Sequence, residues 1–193
     1  MNLELITAPA VEPITLAEAK TFLGVNFVEA DAQITSAIAA ARIYCENYQN
    51  RAYITQTREL YLPGFIADEI EIPLGKLQSI VSIKYKNSVG TETTLTNNTD
   101  YIYSTKGLIG KVTTPYGVGW PSFVPWPIDA VTIRFICGYG LAVAVPENIK
   151  HAIKYLVKHF FDNRNTVEIG SSVSEEVAMT VHDILRQERL TPY

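Results

Sequence analysis

The three histidines are the first residues in which chemistry could be sought. His151 and His159 fall eight residues apart in a stretch with helical periodicity, while His182 stands alone near the C-terminus. At a rise of about 1.5 Å per residue, the two would be separated by about 12 Å, too far to share one metal ion. We therefore interpret each histidine as an ordinary surface or core residue and expect no metal site.

Motifs that bind phosphate, activate a nucleophile or bind zinc are absent from the sequence. It contains no G-x-S-x-G, no G-x-x-x-x-G-K-[ST], no G-x-G-x-x-G, no H-E-x-x-H and no C-x-x-C. The segment 138–140, Gly-Tyr-Gly, precedes an apolar run and does not open a helix, so it is interpreted as a turn after a strand. The sequence thus predicts no catalytic residue and no cofactor, and an enzyme is the least supported class of function.

The two cysteines, Cys45 and Cys137, both lie in apolar surroundings. We interpret them as buried free thiols, with a disulfide as the alternative, because free cysteine behaves as a small apolar residue. The N-terminus lacks the basic and apolar regions of a signal peptide, and no apolar run is long enough to span a bilayer. We expect a protein made in a cytoplasm, with no membrane partner.

The composition is that of a globular protein. Of the 193 residues, 47% are hydrophobic and 19% are charged, which predicts a packed core and argues against disorder. A net charge of −4 argues against a nucleic-acid binder held by a basic surface. The same net charge is compatible with a protein that DNA passes without being bound.

One stretch of positive charge runs against this balance. Lys150, Lys154 and Lys158 recur every fourth residue and would form one stripe of a helix. The stripe is either the solvated back of an amphipathic helix or a surface that faces phosphates or an acidic neighbour. Repeated around a ring, it would form a positive belt.

The chain is organised around a long predicted helix at residues 30–51. One stripe of it is apolar and predicts contact with the core: Ile34, Ile38, Ala41, Cys45 and Tyr48. The opposite side carries small or uncharged residues, which predict a subunit interface with a second copy of the chain: Ser36, Ala39, Ala40, Ile43 and Asn47.

Three further helices are predicted from their ends. Thr15 and Glu18 form a capping box for a short helix that ends at Gly24, and Asp31 is predicted to cap the long helix. Pro146 is predicted as the first residue of a third helix, and Ser174 as the cap of a fourth.

Between the second and third helices, the periodicity changes from 3.6 to 2. Alternating segments rich in β-branched and aromatic residues predict strands at 55–62, 69–72, 77–86, 91–95, 100–103, 108–112 and 131–136. In the segment 77–86, strict alternation places Ile80, Ser82 and Lys84 on one face and Val81 and Ile83 on the other. Residues 1–13 are predicted to be extended.

The segment 114–127 is rich in proline and glycine, which excludes a regular element. It carries four aromatic residues: Tyr116, Trp120, Phe123 and Trp126. Either the loop folds back over the sheet, or these residues form a docking loop for a partner, since tryptophan and tyrosine dominate binding energy at interfaces.

These elements predict an α+β fold: a small bundle of about four helices with a β-rich insertion between the second and third main helices. We expect a single domain over 1–193, with a helical part at 14–51 plus 146–188 and an insertion at 53–145.

Several stretches, in this order and spacing, make the chain resemble the head–tail connector, or head-completion adaptor, proteins of tailed bacteriophages and prophages. The resemblance is to the longer subfamily, often described only as having a possible role in DNA packaging. It is carried by the segments 13–20 (PITLAEAK), 31–51, 54–57 (ITQT), 72–75 (IPLG), 77–80 (LQSI), 120–121 (WP), 138–140 (GYG), 145–146 (VP) and 152–164.

The resemblance implies a structural protein of the virion head–tail junction, assembled in the bacterial host cytoplasm. Its members form a ring of about twelve subunits that docks under the portal protein and extends the channel for passing double-stranded DNA, without sequence specificity. The ring also contacts downstream neck or tail proteins, and the resemblance supplies no catalytic residues. Shorter members are nearly all helical, so the β-rich insertion departs from them. The alternatives are a DNA-contacting packaging factor and a non-catalytic oligomeric prophage protein with another neck or tail role.

Overall fold

The structure, a computed structural model, describes residues 2–163 and 175–190. Within these residues the chain forms four α-helices and eight β-strands, which confirms the predicted α+β class. It divides into two compact units. We call residues 11–54, 139–163 and 175–190 the helical unit, and residues 2–10 and 55–138 the sheet unit. That the whole chain acts as a single domain stays a prediction.

The helical unit contains α1 (Leu16–Leu23), α2 (Asp31–Gln49), α3 (Glu147–Asp162) and α4 (Glu175–Leu185). Short 3-10 helices lie at Ala142–Ala144, before α3, and at Arg186–Glu188, after α4. None of the helices within the described residues is long and apolar enough to cross a membrane.

Helix ends follow the sequence signals closely, with two differences. The capping box of α1 is present, because the Thr15 hydroxyl accepts from the Glu18 amide and the Glu18 carboxylate accepts from the Thr15 amide. Asp31 does not cap α2: it is the first helical residue, and its carboxylate pairs with Lys20 instead. Pro146 lies one position before α3, because its ψ of 142° is extended. Ser174 lies outside the described residues.

The core of the helical unit lies between α2 and α3, with α1 and α4 packed against them. The predicted apolar stripe of α2 is buried at Ile34, Ile38, Ala41 and Cys45, while Tyr48 is half-buried. The core side of α2 is therefore fixed by its 3.6-residue periodicity.

The sheet unit contains two antiparallel sheets. The larger has the order β1-β2-β8-β4-β5 and the smaller the order β3-β7-β6. Their strands are β1 (Asn2–Thr7), β2 (Gln56–Leu62), β3 (Glu69–Ile72), β4 (Leu77–Lys86), β5 (Glu92–Leu95), β6 (Ile102–Ser104), β7 (Gly110–Thr113) and β8 (Val131–Cys137).

Strand β4 departs from the predicted alternation. Ile80 and Ile83 are both buried, whereas Val81 is 51% exposed, so the prediction that the two isoleucines face opposite ways was wrong. The register against β8 shifts between Leu77 and Ser79 and again between Ile80 and Ser82. Each irregularity adds an unpaired residue to the strand, which resets the alternation of its side chains.

Gly110, in β7, fits because it has no side chain. A Cβ atom built there would lie 2.4 Å from Cβ of Leu77, which begins β4. This close approach within the sheet unit explains why glycine occupies a strand position, where it otherwise weakens pairing.

Candidate functional site

The surface of α2 opposite the core carries an uncharged row that we call the α2 stripe: Gln33, Ser36, Ala40, Ile43 and Asn47. All five residues are exposed, and Ile43 is 48% exposed. Ala39, which the sequence also assigned to this side, is half-buried beside the stripe. Gln33 was missed, although it continues the same spacing.

The spacing of the α2 stripe is 3, 4, 3 and 4 residues, the spacing that keeps one seam of a helix against a neighbouring helix. None of its five side chains ionises, so covering the stripe would desolvate no charge. Ile43 projects from a row of shorter or polar residues. Chemically, this surface is suited to packing and offers nothing for catalysis.

A partly buried polar network fixes α2 from its other side. Arg42 binds two carboxylates, with Nε 2.7 Å from Oε2 of Glu12 and Nη1 2.8 Å from Oε2 of Glu46. The other oxygen of Glu46 accepts from the Tyr53 amide at 2.8 Å. Since these bonds join the segments before and after α2 to the helix, the α2 stripe sits on a well-anchored element.

The C-terminal end of the helical unit is bonded to the segments that follow α2 and precede α3, by contacts that the sequence did not indicate. The Arg51 side chain is fully buried, and its Nη1 lies 2.8 Å from Oε2 of Glu188. The Tyr139 hydroxyl donates to the same Glu188 oxygen at 2.8 Å. These partners are far apart in sequence, so no local pattern could have paired them.

The four aromatic residues of segment 114–127 have different environments. Trp120 stacks on Phe65 at 4.5 Å between ring centroids, and its indole N–H donates to the Ala67 carbonyl at 3.0 Å. Phe123 lies 4.6 Å from the Tyr85 ring.

The other two aromatic residues are more accessible. Trp126 lies 4.3 Å from the Lys86 ammonium and is 36% exposed, and Tyr116 is fully exposed. Trp120 and Phe123 thus anchor the loop within the sheet unit, and Tyr116 projects from it. Whether the loop binds a partner stays a prediction.

The three lysines of α3 do not form a uniform exposed row. Lys150 is buried, with Nζ 2.7 Å from Glu147, and exposed Lys158 lies 2.9 Å from Asp162. Lys154 is half-buried. The sequence left open whether this stripe is solvated or faces phosphates or an acidic neighbour. In the structure α1 packs against α3, and its Glu18 lies in the field of both Lys150 and Lys154. Whether the stripe faces phosphates in the assembled particle stays a prediction.

His182 and the two cysteines pack against or among other side chains of the chain. His182 stacks on Tyr48 at 3.9 Å, and its Nε2 lies 3.1 Å from the Tyr44 hydroxyl. Cys45 and Cys137 are buried and free, as predicted. Over residues 2–163 and 175–190, no three His, Cys, Asp or Glu side chains are placed to hold a metal ion.

A second surface of the helical unit, which we call the apolar groove, has a volume of about 570 Å³. It lies where the segment before α1, the middle of α2 and the 3-10 helix before α3 meet. Its walls include Val11, Leu16, Ile38, Leu141 and Val143. The sequence did not reveal it, because three distant segments build it, and the only local signal is the apolar run at 141–145.

One comparison with known proteins identifies a family. The model of a family described as head completion protein matches residues 12–184. No curated protein sequence matches the chain significantly.

Solved structures of gene transfer agent (GTA) particles contain similar chains. One is from the neck of an empty particle computed with C6 symmetry, with a TM-score of 0.79 and 19% identity. Others are from the virion of a native particle, at 0.78 and 20%, and from the neck of a native particle computed with C12 symmetry, at 0.77 and 19%. Each match covers 100% of this chain and 97% of the other. At these identities the likeness establishes a shared fold.

Proposed function

The chain belongs to the head completion protein family, and on this premise we propose that it is a structural head–tail connector. It forms a ring under the portal protein at the virion head–tail junction, extends the DNA channel and joins the head to downstream neck or tail proteins. The observation that carries this function is the family match over residues 12–184. Assembly takes place in the bacterial host cytoplasm.

The proposed ring is supported by the symmetry of the particles in which similar chains occur. Similar chains occur in necks computed with C6 and with C12 symmetry. A ring of about twelve copies needs each subunit to contact two neighbours through surfaces that fit one another.

The α2 stripe is the surface that we assign to one of these contacts. Its 3-4 spacing suits helix packing, and none of its side chains carries a charge that burial would have to desolvate. The polar network around Arg42 holds the helix in place before assembly, which lowers the ordering cost of binding.

The proposed role requires no catalysis and no cofactor, and it lets double-stranded DNA pass without being held. A net charge of −4 suits this task, because a protein that neutralised many phosphates would bind DNA tightly. Lys150 and Lys158 each have a carboxylate partner, which weakens the case for a DNA-contacting packaging factor. Contacts between the exposed Tyr116 loop and a neck or portal protein belong to the same proposal.

The test is Ala40→Glu, which places a carboxylate in the middle of the α2 stripe. Because Ala40 is exposed in the monomer, the helical unit should fold normally, with a change within about 0.5 kcal/mol. Ring formation, measured by native mass spectrometry and electron microscopy of the particle, should weaken by two orders of magnitude or more.

The matched control is Ala17→Glu, the same substitution at an exposed position of α1. It should assemble like the unmodified protein. Rings of unchanged stability from Ala40→Glu would remove the α2 stripe from the interface, and a monomeric unmodified protein, with or without the portal protein, would refute the ring itself.

A further inference from the structure

We propose that the apolar groove receives the α2 stripe of a second copy of this chain. The inference rests on the proposed ring and identifies the surface that pairs with the stripe. Closed rings are built from heterologous contacts, in which two different patches of each subunit meet. A ring subunit that uses the α2 stripe in one contact therefore needs a second, different patch that receives the stripe of its neighbour.

The two surfaces lie on different sides of the same helix. Ile38 lines the groove and Ile43 belongs to the α2 stripe. Five residues separate them, which is about 140° around the helix at 3.6 residues per turn. The stripe of one copy cannot enter its own groove, so the contact has to join two copies.

Three apolar residues that line the groove are exposed to solvent. Val143 is 86% exposed, Leu141 is 68% exposed and Val11 is 43% exposed. These three aliphatic side chains lie together around one groove and offer an apolar surface to a partner. The volume of about 570 Å³ is enough for a projecting isoleucine and its short neighbours.

The charges on the two surfaces favour a second copy over other occupants. Among the described residues, the groove has one ionisable lining residue, Glu12, and its carboxylate is already bound to Arg42. The α2 stripe has none. A nucleic acid or an acidic peptide would require free cationic groups in the groove, and its lining within residues 2–163 and 175–190 supplies none. The α2 stripe brings no charge into the groove, and Ile43 is the aliphatic side chain that projects from it.

The proposal is tested by cross-linking two single-cysteine variants, Ile43→Cys and Val143→Cys. The native thiols Cys45 and Cys137 are buried, so a short bis-maleimide reacts selectively with the introduced, exposed thiols. A mixture of the two variants should give covalent dimers, while each variant alone should stay uncross-linked. The double variant should give a ladder that ends at the size of the ring.

Val89→Cys is the matched control, because Val89 is 80% exposed in the sheet unit. Mixed with Ile43→Cys, it should give no dimer. As a second measurement, Val143→Asp should raise the concentration at which rings form at least tenfold, while Val89→Asp should leave it unchanged.

The outcomes separate this inference from the proposed function. Rings without an Ile43→Cys to Val143→Cys cross-link would overturn the groove contact and leave the connector role standing. Cross-links with Ile43→Cys alone would show that stripe meets stripe, which also overturns it. A protein that forms neither rings nor cross-links, alone or with the portal protein, would overturn both the groove contact and the ring.

Discussion

Replacement of Gly110 by alanine should destabilise the sheet unit strongly. The added Cβ would lie 2.4 Å from Cβ and 2.5 Å from Cδ2 of Leu77. Carbon atoms in contact prefer about 3.5–4.0 Å, so the overlap exceeds 1 Å. Leu77 is buried, and its Cβ cannot be moved by a change of rotamer, so the backbone of β4 or β7 has to shift.

The expected cost is about 3 kcal/mol, at the upper end of the range for overpacking a well-packed core. Urea unfolding followed by tryptophan fluorescence measures it directly, because Trp120 and Trp126 both lie in the sheet unit. Gly64→Ala is the matched control: no atom lies within 4 Å of its added Cβ, so its midpoint should move little.

A second substitution tests whether the Leu77 contact is the cause. Leu77→Ala should not rescue Gly110→Ala, because alanine keeps the offending Cβ. Leu77→Gly removes that atom. The loss of unfolding free energy in the double variant Gly110→Ala/Leu77→Gly should then be smaller than the sum of the two single losses by at least about 1 kcal/mol. A Gly110→Ala protein within about 0.5 kcal/mol of the unmodified chain would refute the packing argument.

Three further predictions concern the helical unit. Glu188→Gln should lower the free energy of unfolding of this unit by roughly 1–3 kcal/mol, measured by urea unfolding followed by circular dichroism. The loss should be smaller than for breaking a fully buried ion pair, because Glu188 is 40% exposed while Arg51 is buried. An unchanged unfolding midpoint would contradict this. Burial, assisted by a nearby cation, lowers the pKa of His182, so the folded chain binds fewer protons and stability should fall as pH drops through the ordinary histidine range. The variant His182→Phe keeps a ring against Tyr48, and in it this part of the pH dependence of the melting temperature should disappear. If the pH dependence is unaltered, His182 is not its source. Burial raises the pKa of the Cys45 thiol to about 12, so a disulfide reagent at pH 8 should react with it only after unfolding, and rapid labelling of the native protein would count against burial.

The elements that could be predicted from the sequence are those determined by near neighbours. The capping box at Thr15, the end of α1 at Gly24 and strand β3 all depend on residues only a few positions apart in the sequence. The core stripe and the exposed stripe of α2 follow from one periodicity, so both could be read from the same nineteen-residue helix.

What could not be predicted depends on pairing across long stretches of chain. The irregularities of β4 arise from its register with β8, which the alternation of β4 alone does not contain. Lys150 looks solvated in a helical projection and is buried because α1 lies against α3. The apolar groove combines segments about 130 residues apart, so its chemistry becomes visible only in the folded chain.

The backbone geometry where the β-rich insertion begins and ends has a consequence for the history of the chain. The Tyr139 amide donates to the Tyr53 carbonyl at 2.9 Å, and Ile54 forms a bridge with Gly140. A segment whose two attachment points are hydrogen-bonded to each other can be lengthened, shortened or removed at little cost in loop-closure entropy. A gene could therefore exchange residues 55–138 as one block while its helices kept their packing, provided that β1, which pairs with β2, is exchanged with them.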